Sequence, residues 1–197
     1  SAEALLPESA GQARPMTRTR YRFVGNDAPY FLTMTVVNWL PLFTRPESVE
    51  VLFDSWRFLQ QRQRLRIHGY VILENHLHLI ARSDTLDADI QRFKSFTARK
   101  IIDLLQDAKA TTLLRMLKLF KGEYKPQSTY QVWQEGSHPQ RIENEDVMRQ
   151  KLDYIHVNPV KRGYVARPEH WLLSSARDYA GEPGPVEVDT NWYAGAD

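Results

Sequence analysis

Two histidines one residue apart, His76 and His78 in the stretch ENHLHLI (residues 74–80), are the first side chains whose spacing suggests chemistry. On a strand they share one face while Leu77 and Leu79 take the other. Adjacent imidazoles can hold a divalent ion, and they can equally form the solvent face of an edge strand; the pair by itself favours the second. Another group stands near the C-terminal end. Val147, Lys151, Tyr154 and Asn158 are spaced by four, three and four, so on a helix an ammonium, a phenol and a carboxamide emerge along one flank. Taken alone, Tyr154 is a side chain packed on a sheet with its hydroxyl in water, and Asn158 is a helix cap.

The elements that must position these residues are legible from periodicity. YFLTMTVV (Tyr30–Val37), rich in β-branched and aromatic residues, reads as a central strand. From Pro46 to about Arg64 the apolar residues Val49, Leu52, Phe53, Trp56 and Leu59 recur at helical spacing. LRIHGYVILEN (Leu65–Asn75) and HLHLIAR (His76–Arg82) read as a hairpin turning at Glu74-Asn75, with one long strand as the alternative. Asp84 or Thr85 caps a further helix, whose apolar positions are Ile90, Phe93, Phe96, Ala98, Ile101 and Leu105. The order β-α-β-β-α predicts an α+β, ferredoxin-like antiparallel sheet with helices on one face. Thr111–Gly122 reads as a short helix and YQVWQ (Tyr130–Gln134) as the fourth strand. A last helix opens between Glu143 and Asp146, carries the core stripe Met148, Leu152 and Ile155, and should stop near Asn158 before Pro159.

Composition narrows the class. With 197 residues, 42% of them apolar, the chain can bury a substantial core in one domain over residues 21–180. Residues 1–20 read as a flexible arm and 181–197, with its Gly and Pro, as a loose tail. The absence of cysteine excludes disulfides, thiolate zinc sites and cysteine nucleophiles. No apolar run reaches the ~20 residues of a membrane helix, and the expectation is a soluble, cytoplasmic protein. The net charge of +2 hides an uneven distribution: residues 91–125 hold nine Lys or Arg against three acids, leaving the remainder at −4. Such an excess suits contact with phosphates, and it also suits an ordinary solvated helix face.

The histidine pair, VWQ, then YIHVNPVKRG (Tyr154–Gly163) and WLLSSARDY (Trp171–Tyr179) form an ordered set. In that set, over roughly residues 18–180, the chain resembles the REP-associated tyrosine transposases of the His-hydrophobic-His nuclease superfamily. The resemblance implies that His76 and His78 are metal ligands, that Asn158 completes the metal site, and that Tyr154 is a nucleophile forming a 5′-phosphotyrosine on single-stranded or hairpin DNA of the REP palindrome type. The implied cofactor is Mg²⁺ or Mn²⁺, since imidazole with amide oxygen suits the latter and phosphate chemistry both. A tyrosine with an ordinary pKa of about 10 needs help to ionise at neutral pH, and Lys151 one turn earlier is a candidate. Phosphate contacts would fall to Arg18, Arg20 and Arg22 and to Arg92, Lys94, Arg99 and Lys100, while Trp133 or Tyr130 would stack an unpaired base unless buried. His156, two residues beyond Tyr154, points elsewhere and reads as structural. One such tyrosine per chain fits a monomer or a homodimer. The alternative function is a hairpin-binding protein of the same fold without cleavage.

Overall fold

The computed structural model describes residues 28–192 apart from 64 and 123–126, together with Phe23 and Gly25. Strand β1 (Tyr30–Thr35) is followed by two single 3-10 turns, helix α1 (Pro46–Gln63), strands β2 (Arg66–Ile72) and β3 (His76–Arg82), and helix α2 (Leu86–Asp107). Then come α3 (Thr111–Leu119), the two-residue strand β4 (Gln140–Arg141) and α4 (Glu145–Lys161). The sheet is antiparallel with strand order β2-β3-β1-β4, the ferredoxin-like order expected from the sequence. The β2-β3 hairpin turns at Glu74-Asn75, where Leu73 N–H donates to the His76 carbonyl at 2.9 Å.

Alternation divides the sheet between two apolar clusters. Leu32, Met34, Leu77, Leu79 and Ile72 point to one side, where α1 and α2 bury Leu52, Trp56, Ile90 and Phe93 against them. Phe31, Val71 and Ile80 point to the other, where Met148, Leu152 and Ile155 of α4 cover them. The expectation of helices on one face therefore holds for α1 and α2 and is extended by α4, which lies across the opposite face. Close approach of α4 needs Gly69: a Cβ there would sit 2.6 Å from Leu152 Cδ2 and 3.0 Å from Ile155 Cδ1. The register skips one residue between Ile67 and Gly69, so His68 is the extra residue of a bulge and Ile67 and Tyr70 share a face.

Four expectations need correction. YQVWQ is not the fourth strand: Trp133 makes one isolated bridge to Val36, and its buried indole donates to Thr97 Oγ1 at 3.0 Å, so it serves the core, while β4 forms later. Phe96 is exposed, and Thr97 takes the buried position in its place because its hydroxyl is returned to the Phe93 carbonyl at 2.7 Å. Helix α4 passes through Pro159, forfeiting the bond to the Ile155 carbonyl, and ends where Gly163 adopts φ 74°. There Gly163 N–H donates to the Val160 carbonyl and Tyr164 N–H to that of Pro159, the paired closure of a Schellman motif. Finally, the tail is docked as far as it is described: Val186 is buried, Arg57 and Gln60 donate to the carbonyls of Pro185 and Glu187, and Asp189 N–H donates to the Ile67 carbonyl. Residues 1–20 and 193–197 lie outside the described residues.

Candidate active site

His76 and His78 leave β3 on the face covered by α4, and Tyr154 and Asn158 leave α4 toward them. Thr33, Trp39, His76, His78, Tyr154, Asn158, Lys161 and Arg162 line one open cleft of about 440 Å³. The His76 and His78 rings are 5.1 Å apart, centre to centre, and the Tyr154 ring is 5.3 Å from His78. Phe31, in the neighbouring strand, stacks on His78 at 5.3 Å and meets the Tyr154 ring at 6.0 Å, setting the spacing between sheet and helix. The Tyr154 hydroxyl makes no hydrogen bond among the described residues, and the side chain is half exposed.

Each histidine is held by its Nδ1. The Asn75 Oδ1 accepts from His76 Nδ1–H at 2.7 Å, and His78 Nδ1 and the Thr33 hydroxyl share a hydrogen bond of 2.9 Å. The amide oxygen of Asn75 only accepts, so His76 Nε2 is left to carry a lone pair; the Thr33 hydroxyl can accept or donate, and where it accepts from Nδ1–H, His78 Nε2 carries one too, the arrangement that orients imidazole ligands toward a metal. His78 Nε2 is buried without a hydrogen-bond partner among the described residues. Burial, reinforced by the charge of Arg162, lowers His76 to a pKa of about 4. Burial, followed by His76, Arg162 and Lys151, lowers His78 to about 3. Both rings are therefore neutral at physiological pH, as metal ligation requires. Among the described residues no cluster of three or more His or carboxylate side chains could hold a metal ion. Asn158, the third ligand that the resemblance implies, lines the same cleft, and its Oδ1 accepts from Arg162 Nε at 3.2 Å. Arg162 also pairs with Glu74 at 2.7 Å, tying the end of α4 to the hairpin turn.

No family model and no curated protein matches the sequence. A solved structure does match: a REP-associated tyrosine transposase bound to a REP hairpin, with a TM-score of 0.56 and 21% identity, over 89% of this chain and 93% of that one. The chain shares the fold of that transposase. No described helix is long and apolar enough to cross a membrane.

Against that fold, the residues expected to do chemistry fall into two groups. His76, His78, Tyr154 and Asn158 come together in the cleft. Lys151 stands at its edge, with Nζ donating to Gln140 Oε1 at 2.7 Å and lying 4.7 Å over the Phe31 ring. His156 faces away, its Nε2 2.8 Å from Ser175 Oγ. The expected phosphate contacts on α2 belong to the helix that covers the opposite face of the sheet. Arg92 pairs with the buried Asp89 at 2.8 Å, and Lys94 donates to the carbonyls of Gln134 and Gly136 at 2.7 and 2.8 Å, fixing the chain before β4. Arg99 and Lys100 are exposed on that helix. Arg18, Arg20 and Arg22 lie outside the described residues. The cations that line the cleft are instead Lys161 and Arg162, in the NPVKRG run but not singled out as contacts. Thr33 and Asn75, which hold the histidines, were also missed. Asn75 is signalled only by adjacency, and Thr33 only by the register that sets it opposite His78.

Proposed function

We propose that the chain is a metal-dependent DNA endonuclease and strand transferase of the cytoplasm that acts on single-stranded or hairpin DNA through Tyr154. The observation that supports this reading best is the meeting in one cleft of two neutral imidazoles, with the Nε2 of His78 buried without a partner among the described residues, and a phenol whose ring lies 5.3 Å from that of His78. The similarity in fold to a transposase bound to a REP hairpin agrees with it. The Nε2 atoms of His76 and His78, oriented by the hydrogen bonds at Nδ1, and the amide oxygen of Asn158 would form a donor set suited to Mg²⁺ or Mn²⁺. Such an ion, when bound, supplies positive charge to the non-bridging phosphate oxygens as charge builds there.

The protein's own groups do the rest. His76, His78 and Asn158 orient the site. Tyr154 gives up its proton to solvent and its oxygen attacks the phosphorus; the P–O3′ bond breaks, and the departing oxygen takes a proton from water as a 3′ hydroxyl. The phosphorus stays on Tyr154 as a 5′-phosphotyrosine, so the bond is exchanged rather than hydrolysed and a second 3′ hydroxyl can reverse the step. Lys161 and Arg162 meet the flanking phosphates, and Lys151 adds positive potential near the phenol.

The test is a labelled hairpin oligonucleotide with single-stranded flanks, incubated with and without Mn²⁺ and resolved under denaturing conditions. A protein–DNA adduct with the native chain and none with Tyr154→Phe is the expected result. An equal adduct with Tyr154→Phe removes Tyr154 from the mechanism, and retarded DNA without any adduct turns the reading to the non-catalytic hairpin binder.

A further inference from the structure

Trp39 is placed at some conformational expense and left half exposed. It follows β1 in the first 3-10 turn, between Val37 and Leu40, and beyond it come Leu42 and Phe43; all four of these neighbours are buried. Trp39 is 54% exposed although its ring is the largest of the set. Its backbone and that of Asn38 are both left-handed, with φ 56° and 50°, a region that bulky residues avoid. Outliers of this sort concentrate at functional sites. The turn delivers the indole into the candidate cleft: it meets His76 at 5.3 Å with the rings inclined by 74°, an edge-to-face contact that covers at most one face of the indole. Steps of 5.1–5.3 Å then lead from His76 to His78 and from His78 to Tyr154. Lys161 and Arg162 line the same space, and about 440 Å³ lies within the range of small-ligand clefts.

We propose that Trp39 is the platform on which an unpaired nucleobase stacks, a few nucleotides from the scissile phosphate. This assignment rests on the reading that the cleft receives a DNA strand, and it names what that reading lacks, a group recognising a base rather than a phosphate. An exposed indole beside two cations is the pairing used by proteins that hold single strands, in which aromatic faces take the bases and cations take the backbone. Of the two sequence-based candidates for stacking, Trp133 is committed to the core and Tyr130 is partly buried against it.

The experiment compares the full-length native chain, Trp39→Phe and Trp39→Ala for equilibrium binding to a short oligothymidylate and to an abasic strand of the same length, with thermal melting to establish that each variant folds. Trp39→Ala should bind oligothymidylate roughly 5- to 150-fold more weakly, the worth of one base–aromatic stack, and Trp39→Phe should recover most of the loss. All three should bind the abasic strand alike. Unchanged affinity of Trp39→Ala for oligothymidylate overturns the proposal, as does an equal loss on the abasic strand. The Tyr154 adduct separates the two ideas. Adduct formation with Trp39-independent binding removes the stacking role and leaves the nuclease, whereas Trp39-dependent binding without adduct keeps the platform and removes the nuclease.

Discussion

Gly69→Ala is a single methyl placed where it should disturb catalysis through the backbone. The added carbon would stand 2.6 Å from Leu152 Cδ2 and 3.0 Å from Ile155 Cδ1, where apolar carbons normally rest at about 3.5–4.0 Å. About 1 Å must therefore be found. Leu152 and Ile155 are buried among Phe31, Val71, Leu73, Ile80 and Met148, which leaves their side chains little room to rotate. The remaining way to relieve the clash is for α4 to lift off β2. Overpacking of this size costs about 1–3 kcal/mol. In a domain of this length that lowers Tm by roughly 2–12 °C. Tyr154 lies between Leu152 and Ile155 in the chain, so lifting α4 carries its hydroxyl away from the histidines. A misplacement of about 1 Å can cost on the order of 100-fold in rate.

The assay is single-turnover formation of the tyrosine adduct, with strand affinity and thermal melting measured on the same protein. The expected pattern is a lower Tm, near-normal affinity and a much slower adduct. Adding Leu152→Ala opens the space that the new methyl occupies. The double variant should recover much of the rate and show a favourable coupling in stability of about 0.5–3 kcal/mol. Full-rate adduct formation by a destabilised Gly69→Ala would refute the reasoning, because the side chains would then have absorbed the strain. An unchanged Tm would refute the packing itself.

Thr33→Val keeps the shape of the residue and removes the partner of His78 Nδ1; Mn²⁺ affinity by calorimetry should fall about 10–100-fold, and unchanged affinity would show that Thr33 does not tune the ligand. His76, His78 and His156 have pKa values lowered by burial to about 4, 3 and 4, so the unfolded chain takes up their protons first. The stability they contribute is complete above the unfolded value of about 6.5 and is lost as pH falls from there toward the folded values; a urea midpoint that is flat between pH 7 and 5 would contradict this. Lys94→Met removes two hydrogen bonds to the carbonyls before β4, so it should lower stability by about 1–3 kcal/mol while leaving the salt dependence of strand binding unchanged. A shallower salt slope would return Lys94 to the DNA interface.

Local periodicity made most of this fold legible. The β1 strand, the β2-β3 hairpin and the α1 and α2 helices each carry a long run of alternating or helically spaced apolar residues, and the structure has them within a few residues of the expected bounds. What failed were short or conditional elements. β4 is two residues long, paired to Tyr30 and Phe31 by register alone, whereas the more strand-like YQVWQ is drawn into the core by Trp133. Pro159 was read as a stop because the residue before a proline resists helical geometry; the Gly163 closure and the bond from Arg162 N–H to the Asn158 carbonyl carry the helix past it. The lysines and arginines of α2 could not be sorted by sequence, since a cation in water and one fixing a loop, as Lys94 does, have the same letter.

The candidate site divides in the same way between what is local in the chain and what the fold decides. Local spacing showed only that His76 and His78 share a strand face and that Tyr154 and Asn158 share a helix flank; their candidate roles came from the resemblance carried by the ordered motifs. Their convergence depends on which face of the sheet α4 covers, and that is decided by alternation in β1 and β3. The odd side chain Phe31 and the even ones His76, His78 and Ile80 come to one side because the antiparallel register pairs Phe31 with Ile80 and Thr33 with His78. A slip of one residue in that pairing would turn the histidines into the α1-α2 core and leave Leu77 and Leu79 facing α4. The apolar side chains that enforce the register are therefore what hold the imidazoles opposite the phenol. Core substitutions at Leu77 or Leu79 should accordingly disturb the cleft before they unfold the chain.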